Sequence, residues 1–161
     1  DKNGVLRLSK AAKAYHPGQG VYRSSYKNAL RVTRNETNFA YEASQKEKRS
    51  QQPFIVGVKI QTSAAHNIKD DRGGISCESL AGNYPKGFDF TYKWHVNCKC
   101  YTTSIIKSAD ELQADTALII AGKEPTTKSS RAVDKQPENF NNYVKNNKDK
   151  WKNWKTQPTW L

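Results

Sequence analysis

Three cysteines and one histidine in the middle of the chain are the side chains best suited to chemistry. Cys77 stands alone, and the sequence WHVNCKC at residues 94–100 supplies His95, Cys98 and Cys100. Thiolate and imidazole are preferred ligands of zinc, and four of them complete a tetrahedron. The four side chains are therefore a candidate Cys3His zinc site.

The alternative is that these cysteines are buried structural thiols. A structural zinc site usually contains close cysteine pairs, whereas Cys77 has no cysteine near it. Alternate residues of a strand project to the same face, so Cys98 and Cys100 could be two small apolar side chains that point inward. The odd number of cysteines argues against a disulfide framework, and we expect a reduced, intracellular protein.

A second candidate site is a basic helix. Arg31 and Arg34 share one helix face at i, i+3, Glu36 lies close to Arg34 in sequence, and Arg23 and Lys27 precede them. This arrangement could hold a phosphate or an acidic partner, although solvated charges or an internal ion pair would give the same pattern. The N-terminal third holds +7 of the net charge of +12, which favours nonspecific contact with DNA.

A third group of residues could support nuclease chemistry. His66 could act as a general base, and Asp70 and Asp71, followed by Arg72, could hold a metal ion. The spacing matches no known pairing of catalytic carboxylates, so a polar loop explains these residues better.

The C-terminal tail combines aromatic and basic residues. Trp151 and Trp154 could stack on the bases of a single strand, with lysines nearby to contact phosphates. These lysines are Lys145, Lys148, Lys150, Lys152 and Lys155. The interpretation that we favour slightly is a solubilising helix whose tryptophans dock on the domain.

Two helices are predicted ahead of the candidate metal ligands. Residues 5–15 have a helical pattern, and HPGQG at residues 16–20 then forms a hinge. Residues 21–49 contain no Gly or Pro, and their apolar side chains recur at spacings of three and four. This spacing predicts a long amphipathic helix.

Two strands are predicted on either side of a long loop. Residues 54–60, FIVGVKI, and residues 100–106, CYTTSII, are rich in β-branched side chains. The half-buried face of the first strand would contain four apolar side chains: Phe54, Val56, Val58 and Ile60. Residues 62–97 are dominated by loop chemistry.

The remaining elements complete an α+β fold. Ser108 is a helix N-cap, Gly122 ends that helix, and residues 137–144 have apolar side chains at helical spacing. We therefore expect a long helix packed on a small antiparallel sheet, with a long irregular loop region and a C-terminal helical tail.

Three segments, taken in order, resemble the motifs of one protein family. Residues 22–36 contain an Arg-x-x-Arg-x-Glu helix, residues 76–85 a Cys-x-x-Leu-x-Gly loop, and residues 94–100 a variant of a closing His-Pro-x-Cys-Arg-Cys. In this order they resemble the C-terminal domain of tailed-phage minor head proteins of the Mu F-like head-morphogenesis family. Val96 replaces Pro, Lys99 replaces Arg, and many relatives have a second Cys near Cys77, where this chain has Leu80.

The resemblance implies a minor component of a phage head that contacts portal and capsid proteins during assembly, and in some members also DNA. Its location would be the virion head, and the host cytoplasm during assembly. The implied organisation is an N-terminal helix and hinge at 1–20, a head-morphogenesis domain at 21–122, and a linker with a basic, aromatic tail at 123–161.

Two other functions stay open. The family's domain is sometimes fused to toxin domains, and a chain that begins without Met is expected to be a fragment or processed product, so a polymorphic toxin or nuclease domain is the alternative. The third is a cellular nucleic-acid-binding protein.

No apolar run approaches the roughly 18 residues needed to cross a bilayer, and we expect no membrane contact.

Overall fold

The computed structural model describes residues 9–14, 25–66, 76–152 and 158–160 and has an α+β fold, as predicted. The helices are α1 Lys10–Ala14, α2 Ser25–Ser50, α3 Ala109–Ile120 and α4 Glu138–Trp151. The strands are β1 Ile55–Gln61, β2 Gly82–Tyr84 and β3 Tyr101–Ile106. The chain divides into two compact units, Asp1–Asn38 and Phe39–Leu161, and α2 runs through the boundary.

The sheet has three antiparallel strands in the order β2-β1-β3. The predicted pairing of the two long strands is confirmed, since Ile60 pairs with Thr102 and Lys59 with Thr103. Strand β2 lies within the region predicted as a loop, and it pairs Tyr84 with Val58. Three residues are too few to give a periodic signal in the sequence.

One face of the sheet contributes side chains to the core. Val58, Ile60 and Tyr84 are 0% exposed, whereas Phe54, predicted on the same face, is 39% exposed and precedes β1. The prediction for Phe54 is wrong because the ladder has a register shift between Ile55 and Gly57. Such an irregularity breaks the alternation of side chains at the start of the strand.

Helix α2 is continuous because no Gly or Pro interrupts residues 25–50. It ends three residues before Pro53, which cannot continue a helix. Its final turns, which belong to the second unit, bury Glu42 and Arg49. Residues 21–24 of the predicted helix lie outside the described residues, as do all residues predicted for the N-terminal helix except 9–14.

The core of the second unit is mainly aromatic. Phe140 of α4 packs edge-on to Phe88, with ring centroids 5.4 Å apart, and lies 5.8 Å from Trp94. Trp160 lies 5.6 Å from both Trp94 and Trp151. The tail helix therefore contributes to the same core as the loop region.

Helix α3 begins as predicted and holds the segment that follows it. Ser108 and Glu111 form a capping box, and Gly122 adopts the left-handed φ of 71° that suits a helix end. The buried Lys107 ammonium lies 2.5 Å from an Asp115 carboxylate oxygen and also donates to the Thr126 carbonyl. This polar cluster fixes the chain between α3 and α4.

Among the helices that the structure describes, none has the length and apolar character required to span a membrane.

Truncating Phe140 tests whether the tail is part of the core. Phe140 is 1% exposed, so Phe140→Ala should lower the free energy of unfolding by about 3–5 kcal/mol, measured by urea denaturation. Lys145→Ala on the exposed side of α4 is the control and should change it by less than about 0.5 kcal/mol. A loss of less than about 1 kcal/mol for Phe140→Ala would show that the tail is separable.

Candidate metal centre

Cys77 is held by a tight turn. The Leu80 N–H and the Ser79 hydroxyl both donate to the Ser76 carbonyl, at 3.3 Å and 2.8 Å. Leu80 is 1% exposed and anchors the turn in the core, so that Cys77 is completely buried.

His95 and Cys98 lie on a second turn, close in sequence to two residues with left-handed backbone. Lys93 has a φ of 55° and Asn97 a φ of 64°, and Asn is one of the residues that tolerate this conformation. The Cys98 N–H donates to the His95 carbonyl at 3.1 Å. Cys98 and Cys100 precede β3, so the expectation that a strand presents both of them is wrong; the turn presents Cys98.

The two turns bring two thiols and one imidazole together. The Cys77 Sγ lies 3.0 Å from the His95 Nε2 and 3.8 Å from the Cys98 Sγ. The three ligand atoms all lie within 4.8 Å of one another, with both cysteines buried and His95 half-buried. This cluster could hold a metal ion.

The His95 ring is oriented for ligation through Nε2. Its Nδ1 lies 2.8 Å from the Val96 carbonyl oxygen, which can only accept a hydrogen bond. Nδ1 therefore carries the proton, and Nε2 presents its lone pair to the Cys77 sulfur. A histidine that ligates a metal usually has its other nitrogen held in this way.

Cys100 lies beside this cluster as a third buried thiol. It is outside the three-residue group, but its hydrogen bonds with Cys77 and Cys98 are the largest causes of the pKa shifts at those two residues. The structure thus gathers three of the four predicted ligands and leaves the buried Cys100 outside that group, although Cys100 affects the pKa of two of its members.

The three thiols shift one another's pKa. Hydrogen bonds with Cys100 and Cys77 lower the pKa of Cys98 to about 2. Hydrogen bonds from Cys100 and Cys98, together with burial, raise the pKa of Cys77. At Cys100 the hydrogen bond with Cys77 lowers the pKa, but the bond with Cys98 and burial outweigh it and raise the pKa to about 12. A bound metal ion would supply the positive charge that stabilises the further thiolates.

A buried charged network adjoins the segment that carries the thiols. The Lys93 ammonium donates to the Cys100 carbonyl at 2.6 Å and lies 3.6 Å from the Glu42 carboxylate. The Thr102 hydroxyl donates to Glu42 at 2.8 Å and accepts from Arg49 at 3.0 Å. Burial lowers the pKa of Arg49, although the charge of Glu42 opposes this. The network joins the end of α2 to the chain that carries the thiols.

Sequence reasoning missed this network. Glu42 and Arg49 are seven residues apart, which places them on one helix face, but their charges gave the pattern of a solvated surface. No feature of the sequence distinguishes Lys93 from the surface lysines.

The predicted basic site lies on the first unit. Lys27, Arg34 and Glu36 are exposed on α2, and Arg31 is half-buried and donates to the Asn28 side chain at 2.9 Å. Arg23 lies outside the described residues.

The structure describes only some of the residues of the other two candidate sites, the nuclease group and the C-terminal tail. His66 is half-buried, whereas residues 70–72 of the nuclease hypothesis lie outside the described residues. In the tail, Trp151 is 4% exposed and packs in the core, as the docking interpretation expects. Four of the five tail lysines are exposed: Lys145, Lys148, Lys150 and Lys152. Trp154 and Lys155 lie outside the described residues.

No protein-family model, curated protein or solved structure matches this chain.

A double-mutant cycle tests the buried charge pair. Lys93→Met removes the ammonium that lies 3.6 Å from the buried Glu42 carboxylate and should lower the free energy of unfolding by about 3–5 kcal/mol. Glu42→Leu in the same chain should lower the free energy of unfolding by less than the sum of the two single losses, because the Lys93–Glu42 interaction is lost only once. Urea denaturation with a chelator present separates this effect from metal binding. If the double mutant loses the sum of the two single losses in free energy of unfolding, Lys93 and Glu42 do not stabilise each other.

Proposed function

We propose that the chain is the C-terminal domain of a tailed-phage minor head protein of the Mu F-like family, stapled by zinc. The observation that carries the proposal is the meeting of two motifs that are apart in sequence. The Cys-x-x-Leu-x-Gly loop brings Cys77, and the closing motif brings His95 and Cys98, to one buried cluster. This convergence favours a shared structural role for the two motifs.

The geometry of the cluster suits zinc. Two zinc–sulfur bonds of about 2.3 Å at a tetrahedral angle place their sulfur atoms about 3.8 Å apart. The Cys77 and Cys98 sulfurs are 3.8 Å apart. A zinc-bound sulfur and imidazole nitrogen would be separated by about 3.6 Å, so binding moves the His95 ring outward by about half an ångström from its 3.0 Å contact. Cys100 is the fourth ligand of the proposed site.

Four protein ligands make this a structural site. A catalytic zinc ion keeps one coordination position open for water or substrate, whereas a Cys3His set fills all four. The ion would tie the Cys77 turn to the chain that enters β3. A zinc ion with three thiolates carries one net negative charge, and the neighbouring Lys93 ammonium is placed to compensate it.

The zinc-stapled domain acts through contacts with portal and capsid proteins in the assembling head. The exposed cations of α2, among them Arg34, would make those contacts or nonspecific contact with DNA. The protein is present in the virion head and, during assembly, in the host cytoplasm.

Metal analysis tests whether zinc is bound at the proposed site. The purified chain should contain about one zinc ion per molecule, and a chelator should remove it and lower the melting temperature. Cys77→Ser should give the same lowered melting temperature, which a chelator then leaves unchanged. Lowering the pH should also release zinc, since thiolates and imidazole bind the metal only when deprotonated.

His66→Gln is the matched control for His95→Gln, because both remove an imidazole and only His95 is in the cluster. The control should keep its zinc, while His95→Gln should bind zinc more weakly. If the chain purified from zinc-supplemented medium holds no zinc, and added zinc leaves its melting temperature unchanged, the staple is refuted.

Fractionation of phage particles tests the assembly role. The protein should co-purify with portal protein, procapsids or mature heads in few copies, and mass spectrometry of purified particles measures this. A chain that is absent from procapsids and virions alike would refute the head function and leave the zinc site standing.

A further inference from the structure

The outer face of the sheet is polar and open. Lys59 of β1 pairs with Asn83 of β2 on one side and with Thr103 of β3 on the other, and all three side chains are exposed. In the next row of the same face, Gln61 pairs with Tyr101. These five residues form the outer sheet face, because alternate residues of a strand point away from the core side chains.

A cavity lies at one end of this face. It has a volume of about 380 Å³ and is lined by Lys59, Asn83, Ile105, Arg131 and Val133. Arg131 and Val133 form one wall of it. That wall lies close to the sheet, because a Cβ on Gly57 would be only 2.9 Å from a methyl carbon of Val133.

Arg131 is fixed at the cavity by residues on both sides. Its N–H donates to the Ser129 hydroxyl at 3.1 Å, and that hydroxyl donates to Glu111 at 2.7 Å. The Ser130 N–H donates to the same carboxylate at 2.6 Å, and the Val133 N–H donates to the Val56 carbonyl at 3.2 Å. The arginine therefore extends from a constrained turn.

The cavity has two cations and no carboxylate in its lining. The ion pairs found in the described part of the chain involve neither Lys59 nor Arg131. Two positive charges and an amide around an open concavity match a phosphate group, because guanidinium and ammonium donate to its oxygens.

Tyr101 suggests which phosphate-bearing molecule fits. Tyr101 is 41% exposed, and its backbone lies diagonal to Lys59 across the sheet. An exposed ring beside phosphate-binding cations on a sheet is suited to stack with an unpaired base. We propose that the outer sheet face and its cavity bind single-stranded nucleic acid, with Lys59 and Arg131 on a phosphate and Tyr101 under a base.

This inference goes beyond the proposed function, since neither a zinc staple nor head assembly requires a site on this face. An acidic peptide would use the two cations without the ring, and duplex DNA keeps its bases stacked inside the helix. The stacking contribution of Tyr101 therefore distinguishes the single strand from both.

Fluorescence anisotropy with a labelled oligothymidylate of about twenty nucleotides tests the site on the full chain. Lys59→Gln with Arg131→Gln should weaken binding and make the log–log salt slope shallower by about 0.7, the value for one lost phosphate contact on a single strand. Tyr101→Leu should weaken binding at least about fivefold, while duplex DNA of the same sequence should be insensitive to it. The substituted side chains are exposed, so melting temperatures should stay near that of the unmodified chain.

Matched controls separate the site from general charge. Lys123→Gln with Lys145→Gln removes the same charge from exposed positions elsewhere, and should change the affinity less than about twofold. Tyr41→Leu is the control for an exposed ring, as Tyr41 is 57% exposed on α2.

Three results would overturn the proposal. The first is an equal loss in the variants and their controls, which would assign binding to net charge. The second is loss of binding on replacing Lys27 and Arg34 of α2 while the sheet variants bind normally. The third is tighter binding of poly-glutamate than of the oligonucleotide, with Tyr101→Leu having no effect on either, which would assign the face to an acidic protein.

Discussion

The second unit depends on one buried cation. The Lys93 ammonium lies between the Cys100 carbonyl and the Glu42 carboxylate, and the Lys93 carbonyl accepts a hydrogen bond from the Trp160 indole at 3.1 Å. One residue thus connects the thiol segment, the end of α2 and the C-terminal residues. A buried ion pair gains little net free energy over an apolar replacement. We infer that its contribution is to specify a single arrangement of three segments that are distant in sequence.

The segment from Ser76 to Cys100 explains why such a connection is needed. It contains only one three-residue strand, and its other backbone hydrogen bonds are made by isolated turns. A connection of this kind needs side-chain contacts to be ordered. Two sets of contacts supply them: aromatic rings around Trp94 on one side and the thiol–imidazole cluster on the other. Because Cys98 and Cys100 belong to the same buried core as the rings, the two sets act together.

The sequence predicted those features that local patterns determine. The two long strands and the Ser108 cap follow from β-branched runs and from capping chemistry over a few residues. The meeting of Cys77 with His95 was expected from ligand chemistry, but the turn that achieves it depends on the left-handed Asn97, which the sequence did not single out. Strand β2 was missed because its three residues have no period of their own and depend on pairing with β1.

Long-range packing was the least predictable part. Phe140 and Trp160 lie among Asn, Lys and Pro residues, so their local sequence resembles a solvated tail. They are 1% and 5% exposed because the rings of the loop region provide an apolar surface for them. The burial of Glu42 could not be predicted either, because a glutamate at this position of a helix is equally expected to be exposed to solvent. Its burial follows from the position of Lys93, which is 51 residues further along the chain.

The interior charges give a physical argument for the proposed thiolate-rich metal site. The buried charged side chains of the described residues are Glu42, Arg49, Lys93, Lys107 and Asp115. Lys107 and Asp115 neutralise each other, so the network around Glu42 keeps one excess positive charge. That excess lies next to Cys100, where the proposed zinc ion with three thiolates would carry one negative charge. With zinc bound, the buried charges of this region sum to zero, which lowers the cost of keeping two cations and one carboxylate away from water.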